Sequence, residues 1–208
     1  MKSLILKDLL AFQSYVKTLV LFVLFFTIIT FSMDDASFLS GMIILWMAML
    51  PISSFSYDQH AKWDLFAQTL PVTRKQIVQA KYVLGLLFVG FATVLAIILN
   101  SIVSSVKSLP IEWNVLIESN LMIGLVALVF LSILFPLIYK YGVEKSRMLI
   151  IVVVAIPSIV FIYFSNNNLQ LLNNVTSQTL LAGGVLAAII VMVISYIISL
   201  KLYTAKDF

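Results

Sequence analysis

The chain has 208 residues, of which 62% are hydrophobic and 11% are charged, and its mean hydropathy is +1.11. This apolar content exceeds what a soluble core needs, so it excludes a soluble domain and indicates an integral membrane protein. The net charge of +4 comes from basic residues between the apolar segments, and we interpret it as a topology signal, not as a nucleic-acid-binding surface. Because the chain has no cysteine, disulfides, thiolate metal sites and thiol nucleophiles are excluded.

Residues 1–16 are predicted to form an amphipathic, interfacial helix that lies along the membrane surface. Ile5, Leu9, Phe12 and Val16 recur at helical spacing and predict one apolar face. The apolar segment that follows is too long and begins too late for a cleavable signal peptide, so we expect it to stay in the protein.

Six apolar segments are long enough to cross a hydrocarbon layer of about 30 Å, which takes roughly 20 helical residues. A transmembrane barrel is a poor alternative, because its strands alternate apolar and polar residues whereas these segments are continuously apolar. We therefore predict an all-α membrane protein with one transmembrane domain over residues 1–208. Its six transmembrane helices are predicted at residues 17–34, 37–57, 82–105, 116–139, 148–165 and 178–200.

The basic residues predict how this topology sits in the membrane. All of them except Lys107 lie near the two termini or in the connections after the second and fourth predicted helices. Because Lys and Arg are held on the cytoplasmic side during insertion, both termini and residues 58–81 should be cytoplasmic.

Residues 58–81 are the longest internal polar stretch, and we call them the polar segment. Within it, Trp63, Phe66 and Leu70 recur at i, i+3 and i+7, which predicts one apolar face of a short helix. This helix could float on the inner membrane surface with Trp63 as an interfacial anchor. It could instead be a knob that docks in a groove of a soluble partner, which is the interpretation we favour.

A proline and a capping box divide the polar segment. Pro71 ends the short helix, because it lacks an N–H group and biases Leu70 away from helical dihedrals. Thr73 and Gln76 form the pattern T-x-x-Q, which predicts the start of the next helix.

The predicted membrane helices offer little chemistry. Apart from Asp34, the last residue of the first, the only acidic residue in them is Glu118, near the outer end of the fourth, and the only histidine of the chain is His60. This excludes two-histidine metal motifs and an intramembrane Ser-His-acid triad. Asn100 and Glu118 are the candidates for a substrate pathway, although for Asn100 we favour a hydrogen bond to another helix.

The chain also lacks the phosphate-binding pattern GxxxxGK[ST]. The nearest sequence, GVEKS from Gly142 to Ser146, lacks the first glycine and the spacing. If the protein works against a gradient, its energy must come from another chain.

The stretch from Phe55 to Tyr82 carries the pattern F-x-x-D, then W, then T-L-P-x-[ST]-R-x-x-[IV]-[VI]-x-x-K-Y. It resembles the loop between helices two and three of small permease subunits of type-2 ATP-binding-cassette (ABC) exporters, and the closing LKLYTAKDF resembles their basic tail. It is similar to the permeases of phenol-soluble-modulin exporters and of bacteriocin-immunity transporters. The matching residues are Phe55, Asp58, Trp63, Leu70, Pro71, Arg74, Val78, Lys81 and Tyr82.

This resemblance implies a six-helix permease with an N-terminal connecting helix, a coupling helix in the polar segment and no enzymatic activity. Two permeases, identical or different, would pair in a bacterial cytoplasmic membrane. Each would dock one ABC ATPase, which binds ATP and Mg²⁺, through the polar segment and the N-terminal helix, so this chain itself needs no cofactor. The implied interface has three apolar residues as a knob, four charged residues at its rim and a proline: Trp63, Phe66, Leu70, Asp58, Asp64, Arg74, Lys75 and Pro71.

The lack of deep charges suggests an amphipathic peptide or a lipophilic compound as the exported substrate, with no role for nucleic acid. Two other classes remain open. The chain could be a non-transporting immunity or interaction protein, or an ATP-independent channel or scramblase.

Overall fold

The computed structural model describes residues 2–32, 37–172 and 177–206, and it describes their side chains except at residues 14, 37, 152–154, 156–172 and 177. Within these ranges the chain is almost entirely helical and contains no strand. The predicted all-α fold is confirmed.

The helices vary widely in length. In chain order they are α1 (Lys2–Ala11), a 3₁₀ turn (Gln13–Tyr15), α2 (Val16–Phe31), α3 (Ser37–His60), α4 (Trp63–Ala67), α5 (Arg74–Val106), α6 (Trp113–Leu172) and α7 (Ser177–Thr204).

Four of these helices, α3, α5, α6 and α7, are long and apolar enough to cross a membrane within the described ranges. A fifth span results if α1 and α2, which meet at an angle of 64°, are taken together. Helix α2 alone has 16 residues, fewer than the roughly 20 that a crossing needs. The described residues therefore contain four or five candidate spans where the sequence predicted six.

The difference arises mainly in α6. The sequence predicted two helices, 116–139 and 148–165, with a cytoplasmic turn between them, but the structure has one helical run over both. Gly142 within it has a φ of +80°, a left-handed value that glycine adopts without a steric penalty. Most side chains of 148–165, and part of the predicted outer connections at residues 33–36 and 173–176, lie outside the described residues.

The break at Gly142 is held from a neighbouring helix. The backbone N–H of Val143, next to the left-handed residue, donates a hydrogen bond to Gln59 Oε1 at 3.1 Å. Gln59 lies in the last turn of α3. The C-terminal end of α3 is thus bonded to the middle of α6.

Helices α3, α5 and α6 form the core of the protein. A Cβ atom at Gly85 would lie 3.2 Å from Phe135, and one at Gly124 would lie 2.7 Å from the hydroxyl oxygen of Thr93. These small residues allow α5 and α6 to approach closely, as in other membrane helix pairs. Helix α7 packs along α6 and exposes most of its apolar residues, as a lipid-facing helix does.

Helix α5 begins where the sequence predicted a cap. The Thr73 hydroxyl accepts a hydrogen bond from the Gln76 N–H at 3.2 Å, and the Gln76 side chain accepts one from the Thr73 N–H at 3.1 Å. This capping box is confirmed. Because the helix runs without interruption from Arg74 to Val106, the polar segment leads directly into a membrane-spanning helix.

Candidate functional site

The polar segment contains a shorter helix than the sequence predicted. Helix α4 ends at Ala67, and the Phe66 carbonyl accepts from the Thr69 N–H at 3.0 Å and from the Thr69 hydroxyl at 2.8 Å. Leu70 lies outside the helix and is half-buried. The predicted stripe of Trp63, Phe66 and Leu70 therefore does not exist as one helical face.

The exposed apolar surface of α4 is made by two neighbouring side chains. Leu65 is 52% exposed and Phe66 is 55% exposed, whereas Trp63 is half-buried and Ala67 is buried. We call Leu65 and Phe66 the apolar knob. Sequence reasoning missed Leu65, because a spacing of three and four residues cannot define the faces of a helix of five residues.

Trp63 contacts the N-terminal helix, α1. The Lys7 ammonium lies 4.1 Å from the centre of the Trp63 ring, within the range of a cation–π interaction. The Trp63 ring is also 5.5 Å from the Phe66 ring. Trp63 thus joins the apolar knob to α1.

A network of four charges lies at the base of the polar segment, and we call Lys7, Asp8, Asp58 and Lys81 the charge network. Lys81 Nζ is 3.0 Å from Asp8 Oδ2 and 2.5 Å from Asp58 Oδ2. Lys7 Nζ is 2.5 Å from Asp58 Oδ1 and 3.2 Å from Asp8 Oδ1. Lys81 also donates to the Ser54 hydroxyl. The network bonds α1, α3 and α5 to one another.

The burial of this network explains why its members must come together. Asp8 is 3% exposed and Lys81 is 4% exposed, and a charge so deeply buried is tolerated only when it is paired and hydrogen-bonded. Two ammonium groups and two carboxylates leave the cluster without net charge. It therefore fixes the position of α1 on the bundle without a large electrostatic penalty.

The other predicted interface residues differ in whether they are bonded within the chain. Asp64 Oδ1 accepts a hydrogen bond from the Tyr203 hydroxyl at 3.0 Å. Arg74 Nη1 donates to the carbonyl oxygen of Thr204 at 2.6 Å. Asp64 and Arg74 are thus bonded within the chain. Lys75 and Pro71 are exposed.

A small cavity lies behind the polar segment. Its volume is about 130 Å³, room for a few water molecules. The Tyr139 hydroxyl, at the inner end of the predicted fourth membrane helix, is buried without a hydrogen-bond partner. The cavity is lined by Phe55, Asp58, Gln59, Asp64, Ile77, Lys81, Ile138, Tyr139, Gly142, Val143 and Lys206.

The two candidate pathway residues lie apart from this site. The Asn100 amide donates to the Ser40 hydroxyl of α3, while its Oδ1 has no partner. This is the contact to another helix that the sequence favoured. Glu118 lies near the start of α6 and is half-buried. Among the described residues, no group of three or more His, Cys, Asp or Glu side chains could hold a metal ion.

Sequence reasoning missed Asp8, although a signal for it was present. Leu4, Asp8 and Phe12 are the buried residues of the N-terminal region, at a spacing of four. Leu9 and Val16, which the sequence placed on the apolar face, are exposed. An acid in line with two apolar residues of one helix face indicates a buried charge that needs a basic partner.

Together, the long apolar helices and the charged cluster at one end of them define an integral membrane protein with a polar, structured end. A family model of ABC-2 family transporter proteins matches residues 3–204. The chain therefore belongs to the ABC-2 family and is a type-2 ABC transporter permease. Neither curated proteins nor solved structures gave a significant match.

Membership of this family carries three consequences. The chain is the membrane component of a transporter, a role that is generally non-enzymatic. It lies in a lipid bilayer, and its family associates with ABC ATPases.

Proposed function

We propose that this chain is the permease of an ATP-driven exporter and that its apolar knob docks in a groove of an ABC ATPase. ATP and Mg²⁺ would be bound by that partner, and two permeases would pair to form the transport path. The observation that carries the proposal is the exposure of Leu65 and Phe66 on a helix whose own charged residue, Asp64, is already bonded within the chain. Burying such a side chain in a partner contributes about 1.5–3 kcal/mol.

The surroundings of the apolar knob also support docking. The exposed Lys62 and Lys75 lie on either side of it in sequence and can pair with acidic residues at the rim of a partner groove. The charge network bonds the base of the polar segment to α1, α3 and α5. A displacement of α4 would therefore be transmitted to α1, α3 and α5.

A membrane-facing groove supports an apolar or amphipathic substrate. It has a volume of about 410 Å³ and lies between α5 and α7. Its walls are almost wholly apolar, and the Tyr196 hydroxyl is buried near it without a partner. The lining residues are Gln79, Tyr82, Val83, Leu86, Ile189, Met192, Val193 and Tyr196. A molecule with an aliphatic part and a hydrogen-bond acceptor fits this lining.

Docking is tested by affinity capture of the ATPase on the full-length permease. Changing Leu65 and Phe66 together to Asp should lower ATPase capture about a hundredfold or more, because two buried apolar contacts are replaced by charges. Leu109→Asp is the matched control, since Leu109 is 43% exposed in the predicted outer connection. Equal capture by the double variant and the control would refute the assignment of the knob.

Transport is tested in proteoliposomes that contain the permease and the ATPase. Export of an amphipathic peptide that requires ATP would support the proposal. Transport without nucleotide would instead indicate a channel or scramblase. A parent permease that captures no ATPase would favour a non-transporting immunity protein.

A further inference from the structure

The end of the chain is bonded to the polar segment by three hydrogen bonds. Tyr203 donates to Asp64 at 3.0 Å, and Arg74 Nη1 donates to the carbonyl oxygens of Thr204 at 2.6 Å and Lys206 at 3.3 Å. We call residues 203–206 the C-terminal strap. These contacts join positions 130 to 139 residues apart, so they are tertiary contacts and not local turns.

Each bond of the C-terminal strap has a physical reason. Tyr203 is 2% exposed, and a buried hydroxyl must find a partner, which here is a carboxylate, a strong acceptor. The last carbonyls of a helix have no partner within the helix and carry partial negative charge. The guanidinium of Arg74 therefore caps the end of α7 from the first turn of α5.

The cavity behind the polar segment makes these bonds important for the position of α4. Asp64 and Lys206 both line the cavity, so this side of α4 faces open space where a packed core would otherwise support it. Helix α4 packs mainly on α3. The hydrogen bond from Tyr203 to Asp64, in place of apolar packing, holds this side of the helix.

We infer that the C-terminal strap positions α4 and passes its displacement directly to α7. This inference rests on the proposed docking of α4 to an ATPase for its consequence in transport, but not for the positioning itself. Tyr203, Asp64 and Arg74 are positioning residues in this scheme. Helix α7, like α5, thereby receives the displacement of α4 directly.

Positioning is tested on the purified permease alone. Because the chain has no cysteine, spin labels can be placed at Gln68→Cys and Lys201→Cys, both exposed positions, without background. The parent should give one narrow distance distribution between the labels. Tyr203→Phe and Arg74→Met should broaden or shift it.

Two matched controls accompany this measurement. Tyr141→Phe removes the hydroxyl of an exposed tyrosine, and Lys75→Met removes an exposed positive charge next to Arg74. Both should retain the distribution of the parent. A distribution that is unchanged in Tyr203→Phe and Arg74→Met would overturn the inference.

Transmission is tested in the assembled transporter. Tyr203→Phe should leave ATPase capture intact while lowering substrate-stimulated ATP hydrolysis about tenfold, as loss of a hydrogen bond to a charged group predicts. The double variant Tyr203→Phe/Asp64→Ala should be no worse than the more affected single variant. Full stimulation in Tyr203→Phe would overturn the transmission. If the parent captured no ATPase, the proposed function would fail, and the spin-label distances would still decide the positioning.

Discussion

The ammonium group of Lys81 lies 3.0 Å from the carboxylate of Asp8, and 73 residues separate them in the chain. This contact joins the N-terminal helix to the first turns of α5, at the point where the polar segment enters the bundle. Both side chains are almost fully buried. The interfacial helix that the sequence predicted is therefore bonded to the bundle by a buried charge pair in addition to its apolar contacts.

Removing both members of this pair should cost less than the sum of removing each one alone. Asp8→Leu leaves the Lys81 ammonium with less compensation, and we expect a loss of about 3–5 kcal/mol in the free energy of unfolding. Asp8→Leu combined with Lys81→Met should lose less than the sum of the two single changes. Thermal unfolding in detergent measures the difference. Additive losses would show that the two charges do not act as a pair, and Lys75→Met serves as the exposed control.

Lys7 should shield Trp63 from solvent. Replacing Lys7 by Gln removes the ammonium that lies 4.1 Å from the Trp63 ring and its ion pair with Asp58. In a background with Trp46→Phe and Trp113→Phe, which leaves one tryptophan of three, acrylamide should quench Trp63 more strongly in Lys7→Gln. Lys2→Gln is the control, because Lys2 is exposed. Equal quenching in both variants would contradict the contact.

Gly124 should not tolerate even one methyl group. A Cβ atom there would lie 2.7 Å from the Thr93 hydroxyl oxygen, so Gly124→Ala should destabilise the protein by about 1–3 kcal/mol through overpacking. Gly90→Ala should be tolerated, because nothing lies within 4 Å of its added Cβ. Thr93→Ala should restore part of the loss in Gly124→Ala. The midpoint of thermal unfolding in detergent tests all three, and a loss in Gly90→Ala as large as that in Gly124→Ala would refute the close contact.

Filling the groove between α5 and α7 should impair transport without affecting assembly. Val193 lines the groove and its neighbour Ile194 does not, although both are 52% exposed. We expect Val193→Trp to reduce peptide export severalfold while Ile194→Trp retains it, with equal ATPase capture by both. Uptake into inverted vesicles is the measurement. If both variants transport equally well, the groove does not take the substrate.

The sequence predicted those parts of the fold that depend on local chemistry. Thr73 and Gln76 formed the expected capping box because both bonds lie within one turn. The apolar segments produced long helices because a bilayer-spanning backbone must bond within itself. The number of spans was not predicted, because α6 continues as one helical run through the polar residues 140–147, where the sequence predicted a turn between two helices.

The candidate site depended on tertiary contacts that the sequence does not display. Asp64 and Arg74 were expected at the rim of a partner surface, but their partners Tyr203 and Thr204 lie at the far end of the chain. Neither contact leaves a spacing pattern. Their role toward an ATPase stays a prediction, and so does that of the other interface residues.

The bond between Gln59 and Val143 sets how the bundle can move. A left-handed glycine in a helical run would ordinarily act as a flexible hinge, because the helical hydrogen bonds are interrupted there. Here the Val143 N–H is hydrogen-bonded to Gln59 of α3. Gln59 directly follows Asp58 of the charge network. A rotation of the C-terminal end of α3 must therefore move the hinge of α6 with it, so that the two helices turn together.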